Sequence, residues 1–121
     1  MSIQDELQSF WNAYAAAYSA GDAGACGAMF TAVAELHSPY APPAVGRDAI
    51  KALHATWTQG HGKETEKKMT VIHAGRAGDF AWCLATYTEG LDVGNGTSVD
   101  VFERQADGSW PIRMCSLNST D

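Results

Sequence analysis

Apolar side chains recur every three or four positions from residue 3 to 20: Ile3, Leu7, Phe10, Trp11, Tyr14 and Tyr18. That is the period of a single helix face. Ser2 stands where a cap belongs, with Asp5 as the capping-box acid, and Gly21 closes the helix. Asp22 caps a second, short helix running to about Phe30. Residues 32–38 read as a strand, which Pro39, Pro42 and Pro43 end in a stiff loop holding Tyr40. Gly46-Arg47-Asp48 opens a third helix with Ile50, Leu53, His54 and Trp57 on one face, and Gly60 and Gly62 close it. From there the pattern changes to strands over about 65–74, 80–89, 97–105 and 110–118. Gly75–Asp79, Asn95-Gly96 and Asp107-Gly108 supply the turns between them. Three helices followed by an antiparallel meander predict an α+β fold, with the helices over one face of a strongly curved sheet.

Length and composition narrow the class. The chain has 121 residues, a single domain over 1–121, with a net charge of -6 and a 45% apolar content suited to a packed core. The acidic balance argues against nucleic-acid binding. Lys63, Lys67 and Lys68 are interleaved with Glu64 and Glu66 and read as a solvated face. Cys26, Cys83 and Cys115 are widely spaced and form no CxxC pair. They read as buried hydrophobes of a reducing compartment, with one disulfide left open. The first residues carry no basic region and apolar run, and no stretch is apolar enough to span a membrane. The expected location is cytoplasmic, with no membrane partner.

Candidate chemistry centres on Asp100, an acid between Val99 and Val101 that shares its strand face with Ser98 and Phe102. On a pocket wall, burial would raise its pKa and hold it protonated. On a solvated face it would be an ordinary polar residue, or would pair with Arg104 or Arg113. Tyr14 lies on the helix-one stripe and needs a polar partner once buried. His37 and His54 are the candidate bases, since histidine titrates near neutrality. His61 and His73 read as exposed and structural. No two histidines stand at i,i+4 and the cysteines are scattered, so no metal site is expected. There is no nucleophile elbow and no phosphate-binding glycine loop, so no cofactor is expected either.

Several segments in order carry a likeness to a known superfamily: Tyr14 through Gly21-Asp22, Val45-Gly46-Arg47-Asp48-Ala49-Ile50, Gly78-Asp79-Phe80-Ala81-Trp82, Val99-Asp100-Val101-Phe102-Glu103-Arg104 and Asp107-Gly108-Ser109-Trp110. Together they resemble the nuclear-transport-factor-2-like (NTF2-like) superfamily, in particular its SnoaL-like, calcium/calmodulin-kinase-association-like and ketosteroid-isomerase-like bacterial branches. The resemblance implies a cone-shaped curved sheet enclosing a pocket, and pairing of two copies through the sheet. It aligns Tyr14 and Asp100 with the oxyanion-hole pair of the steroid isomerases. It places the base position at Ser38, where those enzymes have an aspartate before a proline.

Trp11, Tyr14, Ser38, Trp57, Trp82, Asp100, Phe102 and Met114 are then the expected pocket lining, suited to a small, mostly apolar molecule with one oxygen. Two readings remain. One is a small-molecule-binding protein, isomerase-like if Tyr14 and Asp100 polarise an oxygen while His37 or His54 moves a proton. The other is a non-catalytic binding or dimerisation module, and either is compatible with a homodimer.

Overall fold

Ser2 opens helix α1 (Ile3–Ser19) by accepting a hydrogen bond from the Asp5 amide at 3.1 Å. This satisfies one of the amides every helix start leaves open. The computed structural model that shows this describes residues 1–59, 66–90 and 94–121. Gly60, His61, Gly62 and Lys63 of the sequence reading lie outside the described residues. The buried stripe of α1 is Leu7, Trp11, Tyr14, Ala15 and Tyr18. Its end is fixed by Gly21 at φ 74°, a left-handed conformation open to glycine without steric cost.

Asp22 caps α2 (Ala23–Ala28), but the helix stops short of Phe30. The Ile112 amide donates to the Met29 carbonyl at 2.9 Å, and Phe30 enters the sheet instead. Strand β1 (Phe30–Ser38) turns through Pro39-Tyr40 into β2 (Ala41–Val45). The expected proline loop is therefore mostly a strand. Pro42 and Pro43 are tolerated because β2 lies at the sheet edge, where a missing N–H breaks no ladder. Helix α3 (Arg47–Trp57) follows.

The remaining strands are β3 (Lys68–Ala77), β4 (Phe80–Thr88), β5 (Gly96–Glu103) and β6 (Ile112–Ser119). They form the expected antiparallel meander. The whole sheet has the order β2-β1-β6-β5-β4-β3, is curved and does not close. One junction corrects the expectation of a purely antiparallel sheet: β1 lies parallel to β6. Bulges in β1, β3 and the β5–β6 pairing add to the curvature. The free edge of β3 is partly covered by α1. Gln8 accepts from the Val71 amide at 2.8 Å and donates to the Met69 carbonyl at 2.9 Å, so its amide stands in for a neighbouring strand.

The two sheet faces differ sharply. Leu36, Cys83, Ala85, Tyr87, Phe102 and Cys115 are buried. Val33, Phe80, Trp82, Val99 and Met114 are exposed on the opposite, outer face. Register explains the outer set: Trp82 pairs with Val101, and Val101 with Met114, making a single row across β4, β5 and β6. The next row, on the inner face, is Cys83, Asp100 and Cys115. All three cysteines are buried and unpaired.

Candidate binding cavity

A cavity of about 420 Å³ opens between the helices and the inner face of the sheet. It is walled by Tyr18 of α1, Tyr40 of the β1–β2 turn, Trp57 of α3, Tyr87 of β4 and Leu117 of β6, with Gly94 and the charged residues Lys67, Glu89 and Asp121 completing the lining. An inner recess of about 20 Å³, room for roughly one water, shares the Trp57, Lys67, Tyr87 and Leu117 walls. It reaches inward to Trp11, Tyr14, Met69 and Cys115.

The polar groups of the outer cavity form two sets. Tyr87 donates weakly to the Asn118 carbonyl at 3.5 Å, which leaves Tyr40 as the donor in its 2.7 Å contact with the Tyr87 hydroxyl. Tyr18 donates to Glu89 Oε1 at 2.9 Å, and Lys67 Nζ lies 3.5 Å from the same oxygen. The Lys67 ammonium also sits 4.5 Å from the centre of the Tyr18 ring and 4.6 Å from that of Tyr87, within cation–π range. Its side chain is only 8% exposed. Burial lowers its pKa, while the Glu89 carboxylate acts to raise it. The reading of Lys67 as part of a solvated face is therefore corrected. Its backbone amide donates to Ser19 Oγ at 2.9 Å, which draws the chain onto the end of α1 and turns the side chain inward.

Tyr14 lines the inner recess, and its hydroxyl lies 2.7 Å from His54 Nε2. The direction of that bond can be deduced. His54 Nδ1 lies 2.8 Å from the Ile50 carbonyl, which can only accept, so Nδ1 carries the ring hydrogen. Burial pushes the His54 pKa down to about 4, so at neutral pH the ring is uncharged and Nε2 is bare. Tyr14 must then donate to Nε2. Its hydrogen is used, and only its lone pairs face the recess. His54 itself lies behind Tyr14, fully buried among Tyr14, Tyr18, Phe30 and Trp57.

Asp100 is also fully buried, but among the described residues it lines neither the cavity nor the recess. Ser98 Oγ donates to it at 2.7 Å and Cys83 Sγ at 3.4 Å. Burial pushes its pKa up to about 6, against the lowering effect of hydrogen bonds from Ser98, Cys115 and Cys83. Each neighbour donates, so the site is built for an acceptor. A neutral acid donating to a ligand oxygen is not the arrangement present, and neither Arg104 nor Arg113 pairs with Asp100 among the described residues.

A family model for SnoaL-like domains matches residues 11–111. The chain belongs to the SnoaL-like domain family. This SnoaL-like domain has its fold in common with solved structures of low sequence identity. One is a domain of unknown function with a cystatin-like fold from Nostoc punctiforme PCC 73102: TM-score 0.81, 18% identity, covering 100% of this chain and 80% of that one. A ketosteroid isomerase-like protein from Erwinia carotovora atroseptica SCRI1043 matches at TM-score 0.71 and 20% identity, over 98% and 96% of the two chains. ActVI-ORFA from Streptomyces coelicolor matches at TM-score 0.68 and 21% identity, over 96% of each. At these identities the likeness speaks for the fold alone. A search of curated proteins finds no match.

Within the SnoaL-like domain, the residues expected from sequence separate cleanly. Trp11, Tyr14 and Trp57 line the recess, and Trp57 also lines the outer cavity. Trp82 and Met114 do not, because strand alternation turns them to the outer face, 49% and 36% exposed. His37 is also turned outward, with Nε2 3.1 Å from Glu35 Oε1. Ser38 ends β1, accepts from the Tyr40 amide at 3.3 Å, and lines neither the cavity nor the recess among the described residues. Phe102 is core, packed edge-on against Phe10 and Trp11.

Tyr18, Tyr40, Lys67, Glu89, Gly94, Leu117 and Asp121 line the cavity without having been expected there, and Tyr87 was not singled out among the pocket residues. Glu89 had a readable signal, since it continues the parity of the inward residues Cys83 and Tyr87. Among the described residues no group of three or more His, Cys, Asp or Glu side chains is placed to hold a metal. No described helix is long and apolar enough to cross a membrane.

Proposed function

We propose that this domain binds a small, flat, mostly apolar molecule in the outer cavity, with an oxygen-bearing end directed at Lys67 and Glu89. The observation that carries this reading is the combination of an aromatic wall and a nearly buried charged pair in one space of about 420 Å³. That volume suits a two- or three-ring ligand, and apolar walls with few polar points are the usual character of such sites. An isomerase using Tyr14 and Asp100 as oxyanion donors has no geometric support. Tyr14 spends its hydrogen on His54, and Asp100 is not among the described residues that line the cavity or the recess.

The test is native mass spectrometry and fluorescence titration with flat bicyclic phenols and ketones. Saturable binding is expected, and Leu117→Trp, which fills the cavity, should abolish it. Binding that survives Leu117→Trp would overturn the assignment of the site. We also propose that the partner on the outer face is a second copy of this chain. The support is a contiguous exposed apolar patch around Trp82, Val99 and Met114.

A further inference from the structure

We propose that Lys67 is a covalent capture site, where its amine forms a reversible imine with a flat aromatic aldehyde bound in the cavity. This rests on the binding reading above and names its ligand class. Lys67 is the one amine among the described residues that line the cavity, and its side chain is only 8% exposed. An imine-forming lysine needs a neutral nitrogen, a place for its proton and a carbonyl held against it. Burial serves the first need, lowering the Lys67 pKa against the raising effects of Glu89, Cys115 and Cys26. Glu89 Oε1, 3.5 Å from Nζ, serves the second, and Tyr18 fixes that oxygen by donating to it at 2.9 Å. The aromatic walls serve the third. The Tyr18 and Tyr87 ring centres lie 4.5 and 4.6 Å from Nζ. A formyl carbon has only hydrogen on its second side, so it reaches Nζ between these rings with less crowding than a ketone. Asp121 is the other carboxylate of the lining, held by the Gly94 amide at 2.8 Å and the Asn95 side-chain amide at 3.1 Å. Two carboxylates against one ammonium repel an anionic ligand. They favour a neutral aldehyde whose adduct keeps the positive charge on nitrogen.

The step balances with water as its by-product. The Lys67 ammonium passes a proton to Glu89, and the nitrogen lone pair forms a bond to the formyl carbon. The carbonyl π pair moves onto oxygen, which takes a second proton from the nitrogen to give a carbinolamine. Glu89 returns its proton to that hydroxyl, the carbon–oxygen bond breaks, and water leaves with the electron pair. The nitrogen lone pair closes the C=N bond. The product is a protonated imine beside the Glu89 carboxylate, with the charge of the original ammonium. Hydrolysis by the reverse steps releases the aldehyde.

The experiment treats the protein with 6-methoxy-2-naphthaldehyde near neutral pH and traps the imine with sodium cyanoborohydride, which delivers hydride to the C=N carbon. Peptide mapping by mass spectrometry locates the adduct, and 2-naphthol binding is titrated in parallel. A saturable adduct at Lys67 is expected. It should form about tenfold faster or more than adducts at the exposed Lys51 and Lys68, because the cavity holds the aldehyde beside the amine. Excess 2-naphthol should suppress it. Lys67→Arg keeps the positive charge but cannot form the imine, so the fast adduct should vanish while 2-naphthol binding persists. Lys51→Arg should change nothing. If Lys67→Arg fails to fold by circular dichroism, the position of the wild-type adduct decides. Modification spread evenly over Lys51, Lys67 and Lys68, with saturable 2-naphthol binding, overturns the capture site and leaves the binding reading intact. So does a fast adduct that persists at an undiminished rate in folded Lys67→Arg. Absence of both saturable 2-naphthol binding and selective Lys67 modification overturns both.

Discussion

Two buried titratable residues pull the pH dependence of stability in opposite directions. Asp100 has its folded pKa raised from 3.8 to about 6. The folded state holds that proton more tightly, so stability from Asp100 is present at low pH and is lost as pH rises from about 4 to 6. His54 has its folded pKa lowered from 6.5 to about 4. There the unfolded state binds the proton more tightly, so stability is lost as pH falls through the same window. Each contribution is on the order of 3 kcal/mol, and the two nearly cancel. Asp100→Asn should expose the His54 slope: relative to wild type, its unfolding free energy should rise by roughly 3 kcal/mol between pH 4 and 6.5. Urea denaturation across that range reads this directly, and parallel pH profiles for the two proteins would contradict it. Tyr14→Phe tests the other half of the site. It leaves a bare buried imidazole nitrogen, so it should cost about 1–3 kcal/mol of stability. Ketone affinity should barely change, because Tyr14 has no hydrogen to offer a ligand. A large loss of affinity measured by titration would restore the oxyanion-donor role.

At the scale of elements, the cavity depends on how β4 and β5 meet. Tyr87 pairs directly with Gly96, and its ring lies across the glycine's backbone. A Cβ at Gly96 would fall 2.5 Å from the Tyr87 hydroxyl and would collide with the Asn118 carbonyl. Gly96→Ala should therefore displace the Tyr87 wall, lowering stability by about 1–3 kcal/mol as overpacking does, and weaken ligand binding at least as much as Tyr87→Phe. Denaturation and ligand titration on the two variants check this. The same pair shows what the sequence could and could not tell. Asn95-Gly96 was legible as a turn, but the role of Gly96 as a seat for an aromatic ring needs the register. The helix stripes and strand alternation were readable because each is local. β2 was not, since its prolines are compatible with a strand only at an edge, and edge position is a property of the whole sheet. Lys67 looked solvated because its neighbours are charged. Its burial comes from the chain crossing α1, a long-range contact through Ser19. Asp100 was correctly read as sharing a face with Ser98 and Phe102, but whether that face was core, pocket wall or solvated depends on how the helices pack over the sheet; all three are buried, and Asp100 lines neither the cavity nor the recess among the described residues.

For the whole molecule, the decisive contrast is between the two faces of the sheet. The inner face is covered by helices and encloses the cavity, while the outer face leaves Trp82 49%, Val99 56% and Phe80 49% exposed. Trp82 is held in place by its cross-strand partner Gly75, over whose backbone its indole lies, so the exposed ring is a fixed surface. An ordered aromatic group beside Val99, Val101 and Met114 loses little side-chain entropy when covered, which favours association. With a net charge of -6, two copies repel at long range, so the apolar contact must carry the affinity, and added salt should strengthen it. Sedimentation equilibrium should therefore show a dimer that tightens with salt. Trp82→Glu together with Val99→Glu should yield a monomer that unfolds cooperatively. Because these side chains point away from the cavity, that monomer should bind flat bicyclic ligands with the wild-type dissociation constant. A monomeric wild type would dismiss the partner. A dimer whose disruption also abolished ligand binding would mean that the second copy completes the cavity, contrary to the separation of the two faces argued here.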